Sequence, residues 1–254
     1  MKRIFQIIIL AVAMGFAVPA SAQDCDSLFE AANSLYTAGD YDSSLTIYNM
    51  IVGQEYESST LYYNMGNTYF KKRNYPKSIL YYEKALKLNP NDQDARNNLA
   101  IANTFIIDKI EPLPEVFLKR WWRSVRNSMP ADTWATLSII AFALTLVCLG
   151  FVLKSHSGAV RKTGFFAGIV VFVLLIITAN ISISKTRYLK TRNEAIIMTP
   201  TITVKSSPSA NSIDLFVLHE GSRVSIVDKT GEWNNIRIAN GSSGWLPDSS
   251  MEKF

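Results

Sequence analysis

Cysteine and histidine are almost missing from this chain, with two of each in 254 residues. Cys25 stands near the start and Cys148 inside a long apolar run, so no intramolecular disulfide is expected between them. Ala22, Gln23 and Asp24 precede Cys25 where a small-residue lipobox would be needed, which argues against a lipid-modified cysteine. His156 and His219 are far apart, and no Cys/His cluster has metal-ligand spacing, so neither a metal nor a cofactor is expected. Gly-rich phosphate loops and a nucleophile elbow are also missing. The acidic residues are scattered and form no plausible catalytic pair. These absences argue against an enzyme.

Acidic residues are missing from one whole segment. Positions 134–192 hold seven basic residues (Lys154, Arg161, Lys162, Lys185, Arg187, Lys190, Arg192) and no Asp or Glu. The flanking regions are mildly acidic: 23–110 carries 8 Lys/Arg against 11 Asp/Glu, and 193–254 carries 5 against 7. The net charge of +5 therefore lies beside apolar runs, where phosphate headgroups attract it, and not on a folded basic face. A nucleic-acid binder is excluded on that ground.

Residues 1–22 combine Lys2 and Arg3, an apolar run from Ile4 to Val18, and the small triplet Ala20-Ser21-Ala22. This is the pattern of an export signal, with cleavage between Ala22 and Gln23. Two charge-free runs follow, 134–153 and 164–183, each about 20 residues and so long enough for a hydrocarbon core of roughly 30 Å. The short connector 154–163 makes them a transmembrane hairpin, followed by a basic linker, 184–192. Basic residues on both sides leave the orientation undecided by charge. The export signal decides it, putting the connector in the cytoplasm and both flanking regions in the periplasm. Segment 111–133, with Trp121, Trp122, Arg123 and Arg126, is expected to lie in the headgroup layer as an amphipathic linker.

Compared with itself at an offset of 34 residues, region 23–110 keeps a consistent register. Leu28 falls on Tyr62, Ala32 on Gly66, Asn33 on Asn67, Tyr36 on Phe70, Tyr41 on Tyr75, Ser44 on Ser78 and Tyr48 on Tyr82. Small residues recur where two helices must approach closely, and aromatics where the next helix wedges in. Here the chain resembles the tetratricopeptide repeat family. Tyr62, Met65, Gly66, Tyr69, Tyr75, Ser78, Tyr82, Ala85 and Pro90 occupy its signature positions. The first unit is degenerate, with Ile51 for the usual Ala and Tyr56 for the usual Pro, and Ala95 to Ile107 reads as a capping helix. The resemblance implies a concave peptide-binding groove lined by Phe29, Asn33, Tyr36, Tyr63, Asn64, Asn67, Phe70 and Lys71. The family's carboxylate-clamping variant is not expected, because Phe29, Asp94 and Asn98 stand where its cations would be.

From Glu194 onward, short β-rich runs alternate with turn residues. The expected strands are 195–198, 202–205, 215–218, 223–227, 233–238 and 244–246, enough for a small barrel. Leu218-His219-Glu220-Gly221, Gly231-Glu232-Trp233 and Gly244-Trp245-Leu246, in this order, resemble a bacterial SH3 domain. Trp233 and Trp245 are candidates for a peptide or glycan platform, or for barrel core and turn support.

The expected fold is a multidomain membrane protein: an all-α tetratricopeptide-repeat solenoid (23–110), a two-helix transmembrane hairpin and a small all-β SH3-like barrel (193–254). This order, together with Ile110-Glu111-Pro112-Leu113-Pro114 and Trp121-Trp122, resembles the BatE-type proteins of aerotolerance (Bat) operons. The resemblance implies a non-enzymatic scaffold in the bacterial inner membrane, partnered by von Willebrand A-domain membrane proteins and linked to oxidative-stress tolerance. The alternative is a cell-wall sensor or anchor whose barrel binds peptidoglycan.

Overall fold

A computed structural model describes residues 21–114, 116–191 and 193–254. The expected export signal therefore lies, except for Ser21 and Ala22, outside the described residues. Five helices come first: α1 (Ser21–Ala38), α2 (Tyr41–Gly53), α3 (Ser59–Lys71), α4 (Tyr75–Leu88) and α5 (Gln93–Ala102). Their boundaries obey the 34-residue register. Asp40 and Asn74 cap α2 and α4 by accepting from the N–H of Ser43 and Lys77, while Ser58 and Asp92 cap α3 and α5 through Leu61 and Ala95. Each cap supplies an acceptor to a helical N–H that has none within its own helix. The α1–α2 and α3–α4 turns each need a left-handed residue, Gly39 in the first and Arg73 in the second. Capping helix α5 ends at Ala102, five residues before the expected Ile107, and a turn follows.

The helical core is buried Leu45, Tyr48, Ile51, Leu61, Met65, Ile79, Leu80 and Tyr82, with small residues at the crossings. A Cβ on Gly66 would lie 2.6 Å from the Tyr82 ring, so the register's small position is a close helix approach. Ser44 and Ser78 tie each pair together, donating to the carbonyls of Ala32 and Gly66 at 2.9 Å.

Helices α6 (Phe117–Asn127), α7 (Ala131–Lys154) and α8 (Gly158–Thr191) follow. Two of them, over Ala131–Lys154 and Gly158–Arg187, are long and apolar enough to cross a membrane. They pack as an antiparallel hairpin with Ala141 and Ile181 buried and Gly164 and Gly168 against Cys148. Helix α8 runs on to Thr191, through most of the segment expected as a basic linker, 184–192. Its glycines, Gly158, Gly164 and Gly168, all lie before Ile183 and it has no proline, so nothing in the sequence stops the helix there.

The C-terminal region is a seven-stranded antiparallel sheet: β1 (Glu194–Ile197), β2 (Thr201–Lys205), β3 (Asp214–His219), β4 (Arg223–Thr230), β5 (Trp233–Arg237), β6 (Ser243–Pro247) and β7 (Met251–Lys253). Their order is β3-β2-β6-β5-β4-β1-β7. Inward residues Ala195, Ile197, Val204, Leu218, Val224, Ile236, Leu246 and Met251 make its core. Strand β7 was not expected, because three residues, Met251-Glu252-Lys253, are too short to show alternation.

The sheet and the helical repeats are joined by a shared interface. Strand β1 is buried on both faces, because Ile196 points away from the sheet core and packs with Met198 and Phe254 against the helices. Arg223 bonds Glu83 of α4 and Glu194 at 2.8 Å, with its guanidinium 5.6 Å from the centre of the Phe254 ring. Lys77 of α4 bonds Glu252. Beyond α5, Asp108 accepts from the main-chain N–H of His219 at 2.7 Å, from the Ser222 hydroxyl, and pairs with His219 Nδ1 at 2.8 Å. Ile106 covers Gly221 and Leu113 covers Gly241, two turn glycines with φ of +85° and +92° that leave room for these side chains.

Burial pushes the Asp108 carboxyl up, but the donors from Ser222 and His219 outweigh it and hold it below its ordinary value. A carboxyl depressed on folding contributes stability above its unfolded pKa, and that contribution is lost as pH falls through the folded one. Asp108→Asn is expected to cost about 1–3 kcal/mol near pH 7. In thermal melts the gap between native and variant should narrow below about pH 4.

Candidate functional site

The concave side of the repeats is organised by two identical hydrogen-bond triads, 34 residues apart. In the first, Asn33 Oδ1 accepts from the Tyr48 hydroxyl at 2.6 Å and from Asn64 Nδ2 at 2.8 Å. In the second, Asn67 Oδ1 accepts from the Tyr82 hydroxyl at 2.6 Å and from Asn98 Nδ2 at 2.9 Å. Each triad ties the first helix of a unit to its second helix and to the first helix of the next. Aromatic pairs repeat in the same way, Phe29–Tyr48 and Tyr63–Tyr82 each having ring centroids 6.1 Å apart.

The triads decide what the groove can offer. An amide oxygen has two lone pairs, and both are used on Asn33 and Asn67. Among the described residues neither Nδ2 donates, so each asparagine has N–H donors left and no acceptor capacity. Burial pushes the Tyr48 and Tyr82 hydroxyls up, with smaller and partly opposing effects from neighbouring side chains. Burial also pushes up Tyr36, reinforced by the neighbouring Tyr41 and Tyr63. All three keep their protons at physiological pH.

A cavity of about 290 Å³ opens between the units, lined by Tyr36, Tyr63, Asn67, Phe70, Lys71, Tyr82, Asn98 and Ile101. It sits at the lower edge of the range of small-molecule pockets, ~300–1,000 Å³, and is large enough for a side chain. Five of the expected groove residues line it: Tyr36, Tyr63, Asn67, Phe70 and Lys71. Phe29 and Asn33, on α1, do not line it, and neither does Asn64, which shares α3 with Tyr63 and Asn67 but bonds to Asn33 in the first triad. Sequence reasoning missed Tyr82, Asn98 and Ile101. Asn98 had a visible signal, because it stands 34 residues after Asn64. Behind Phe70, Phe105 meets its ring edge-on at 5.7 Å and stacks on Tyr75 with centroids 4.4 Å apart.

On the sheet, Trp233 is opposite Pro247 and Trp245 opposite Asn235 on adjacent strands. Their register puts both indoles on one outward face, diagonal to each other and half-buried, while Asn234, Ile236 and Leu246 face inward. Neither tryptophan belongs to the core. Just after β6, Asp248 receives Asn234 Nδ2 at 2.7 Å, Lys229 at 3.0 Å and Lys253 at 3.1 Å, and these donors hold its carboxyl well below the usual range.

Helix α6 buries none of its residues. Phe117, Leu118, Trp121, Trp122 and Val125 share an arc of roughly 140°, and Lys119, Arg120, Arg123 and Arg126 share the rest. Trp121 and Trp122 are exposed, Arg123 is exposed and Arg126 is half-buried. Among the described residues, none buries the two rings.

No curated protein matches the chain. Residues 59–92, which span α3, α4 and the turn that follows them, match the tetratricopeptide repeat family.

Proposed function

We propose that this chain is a non-enzymatic, membrane-anchored scaffold whose repeat groove holds an extended segment of a partner protein. The observation that carries this reading is the paired triad. It leaves amide donors on Asn33 and Asn67, and Asn67 lines a cavity that also carries the cation Lys71. A peptide backbone supplies carbonyl acceptors at regular spacing, and an apolar side chain fits among Tyr63, Phe70 and Ile101. Helices α7 and α8 serve as the anchor, with α6 lying in the headgroup layer through Trp121, Trp122, Arg123 and Arg126. The export signal at 1–22 makes the periplasm the side on which both folded regions work. Resemblance to BatE-type proteins makes von Willebrand A-domain membrane proteins the partners and aerotolerance the setting.

The groove is tested without breaking its frame by changing exposed lining residues. Lys71→Glu with Ile101→Asp is expected to reduce in-membrane crosslinking to protein partners about tenfold, as loss of two interface contacts would. Unchanged recovery, read by mass spectrometry, would remove the groove from the account.

A second reading is favoured by the outward Trp233/Trp245 face. Flat, rigid indoles on an SH3-like surface suit the apolar face of a glycan or a stem peptide, which makes peptidoglycan the ligand. Co-sedimentation of the solubilised chain with purified sacculi should then be lost in Trp245→Ala. Equal sedimentation of the two proteins would eliminate wall binding at this face.

A further inference from the structure

We propose that the end of the helical hairpin beside the repeats carries a site for one phosphate group of an anionic phospholipid, built on Lys185 of α8. The proposal rests on reading α7 and α8 as membrane spans. Lys185 is 2% exposed, and among the described residues its ammonium donates to one acceptor, the main-chain carbonyl of Met129. An ammonium has three N–H donors, and burying its charge is unfavourable unless an opposite charge and acceptors accompany it. Among the described residues no carboxylate pairs with it. The neighbouring charge has the same sign, since Arg126 of α6 lies close enough to repel it.

The hairpin has little of its own with which to answer that charge. Positions 134–192 hold no acidic residue, α6 holds none, and Asp132 in the first turn of α7 is exposed. Other donors at the same end also lack acceptors. The first turn of α7 follows Pro130 and has no side-chain cap. One turn further along, the indole N–H of Trp134 is buried with no acceptor. Met129 bonded to Lys185, and Ala131 accepting from Ser182 at 3.4 Å, close the two helices together at this level.

A phosphodiester supplies what is missing: one negative charge and several strong acceptors. Its source follows from position. The site lies where the apolar runs end and the Trp- and Arg-bearing helix α6 begins, at the depth where lipid phosphates are found.

The full-length protein, purified in detergent and stripped of lipid, is titrated with phosphatidylglycerol, phosphatidylcholine and inorganic phosphate. Bound lipid is counted by native mass spectrometry and stability is followed by melting temperature. One phosphatidylglycerol should be retained, about tenfold or more tightly than phosphatidylcholine, as expected for a charge-assisted contact. Lys185→Met should abolish the preference and Lys185→Arg keep it, while Lys154→Met, at the opposite end of the hairpin, should leave it intact. If Lys185→Met fails to fold, Lys185→Gln is read in its place. Equal retention of the two lipids, or an unchanged preference in the Lys185 variant, overturns the site. Competition by inorganic phosphate at equal concentration overturns the lipid assignment in favour of a free anion. Carbonate extraction from vesicles separates the two levels. A protein that resists extraction yet shows no lipid preference loses the site alone, whereas an extracted one loses the membrane reading as well.

Discussion

Everything on the concave side depends on one amide oxygen used twice. Asn67 Oδ1 takes a hydroxyl from the helix that follows it and an amide from the helix after that, so a single acceptor fixes three helices. Asn33 does the same one unit earlier. Buried polar groups are costly when half-satisfied and specific when fully satisfied, so this arrangement sets a spacing that apolar packing alone would leave adjustable. The same bonds choose the groove's chemistry. By consuming the acceptors internally, they leave donors for a ligand, which favours a carbonyl-rich partner over one rich in N–H groups.

A stack of two and a half repeats is close to the minimum for independent stability. The structure supplies support from the other end of the chain. Strand β1 lies between the sheet core and α4, Arg223 joins Glu83 to Glu194, and Asp108 holds the turn at His219 and Ser222. The helical repeats and the sheet thus brace each other, although α6, α7 and α8 separate them in sequence. A contact in the groove and a contact on the Trp233/Trp245 face would then act on one body.

Much of this was legible in the sequence, and what was not has physical reasons. The 34-residue register showed the helices, the close approach at Gly66 and most of the cavity lining, because each repeat must place the same residue types at the same crossings. The charge-free runs showed the two long apolar helices by length alone. The docking of β1 was harder to see. Ala195-Ile196-Ile197-Met198 is apolar without alternation, which marks a strand covered on both faces, yet it does not say what covers the second face. Long-range ion pairs such as Arg223–Glu83 leave no local pattern at all. Strand β7 was too short for periodicity, and α8 ran past Ile183 because no breaker stands there.

The triad's role is tested most directly by a double-mutant cycle of Tyr82→Phe and Asn98→Ala, read from the unfolding free energy of the full-length protein. Both side chains donate to the same Asn67 oxygen, so the account predicts a coupling of about 0.5 kcal/mol or more between them. The remote pair Tyr48→Phe and Asn98→Ala should be additive within about 0.5 kcal/mol. Additivity of the Tyr82 and Asn98 changes would contradict the claim that one shared acceptor holds the three helices in register.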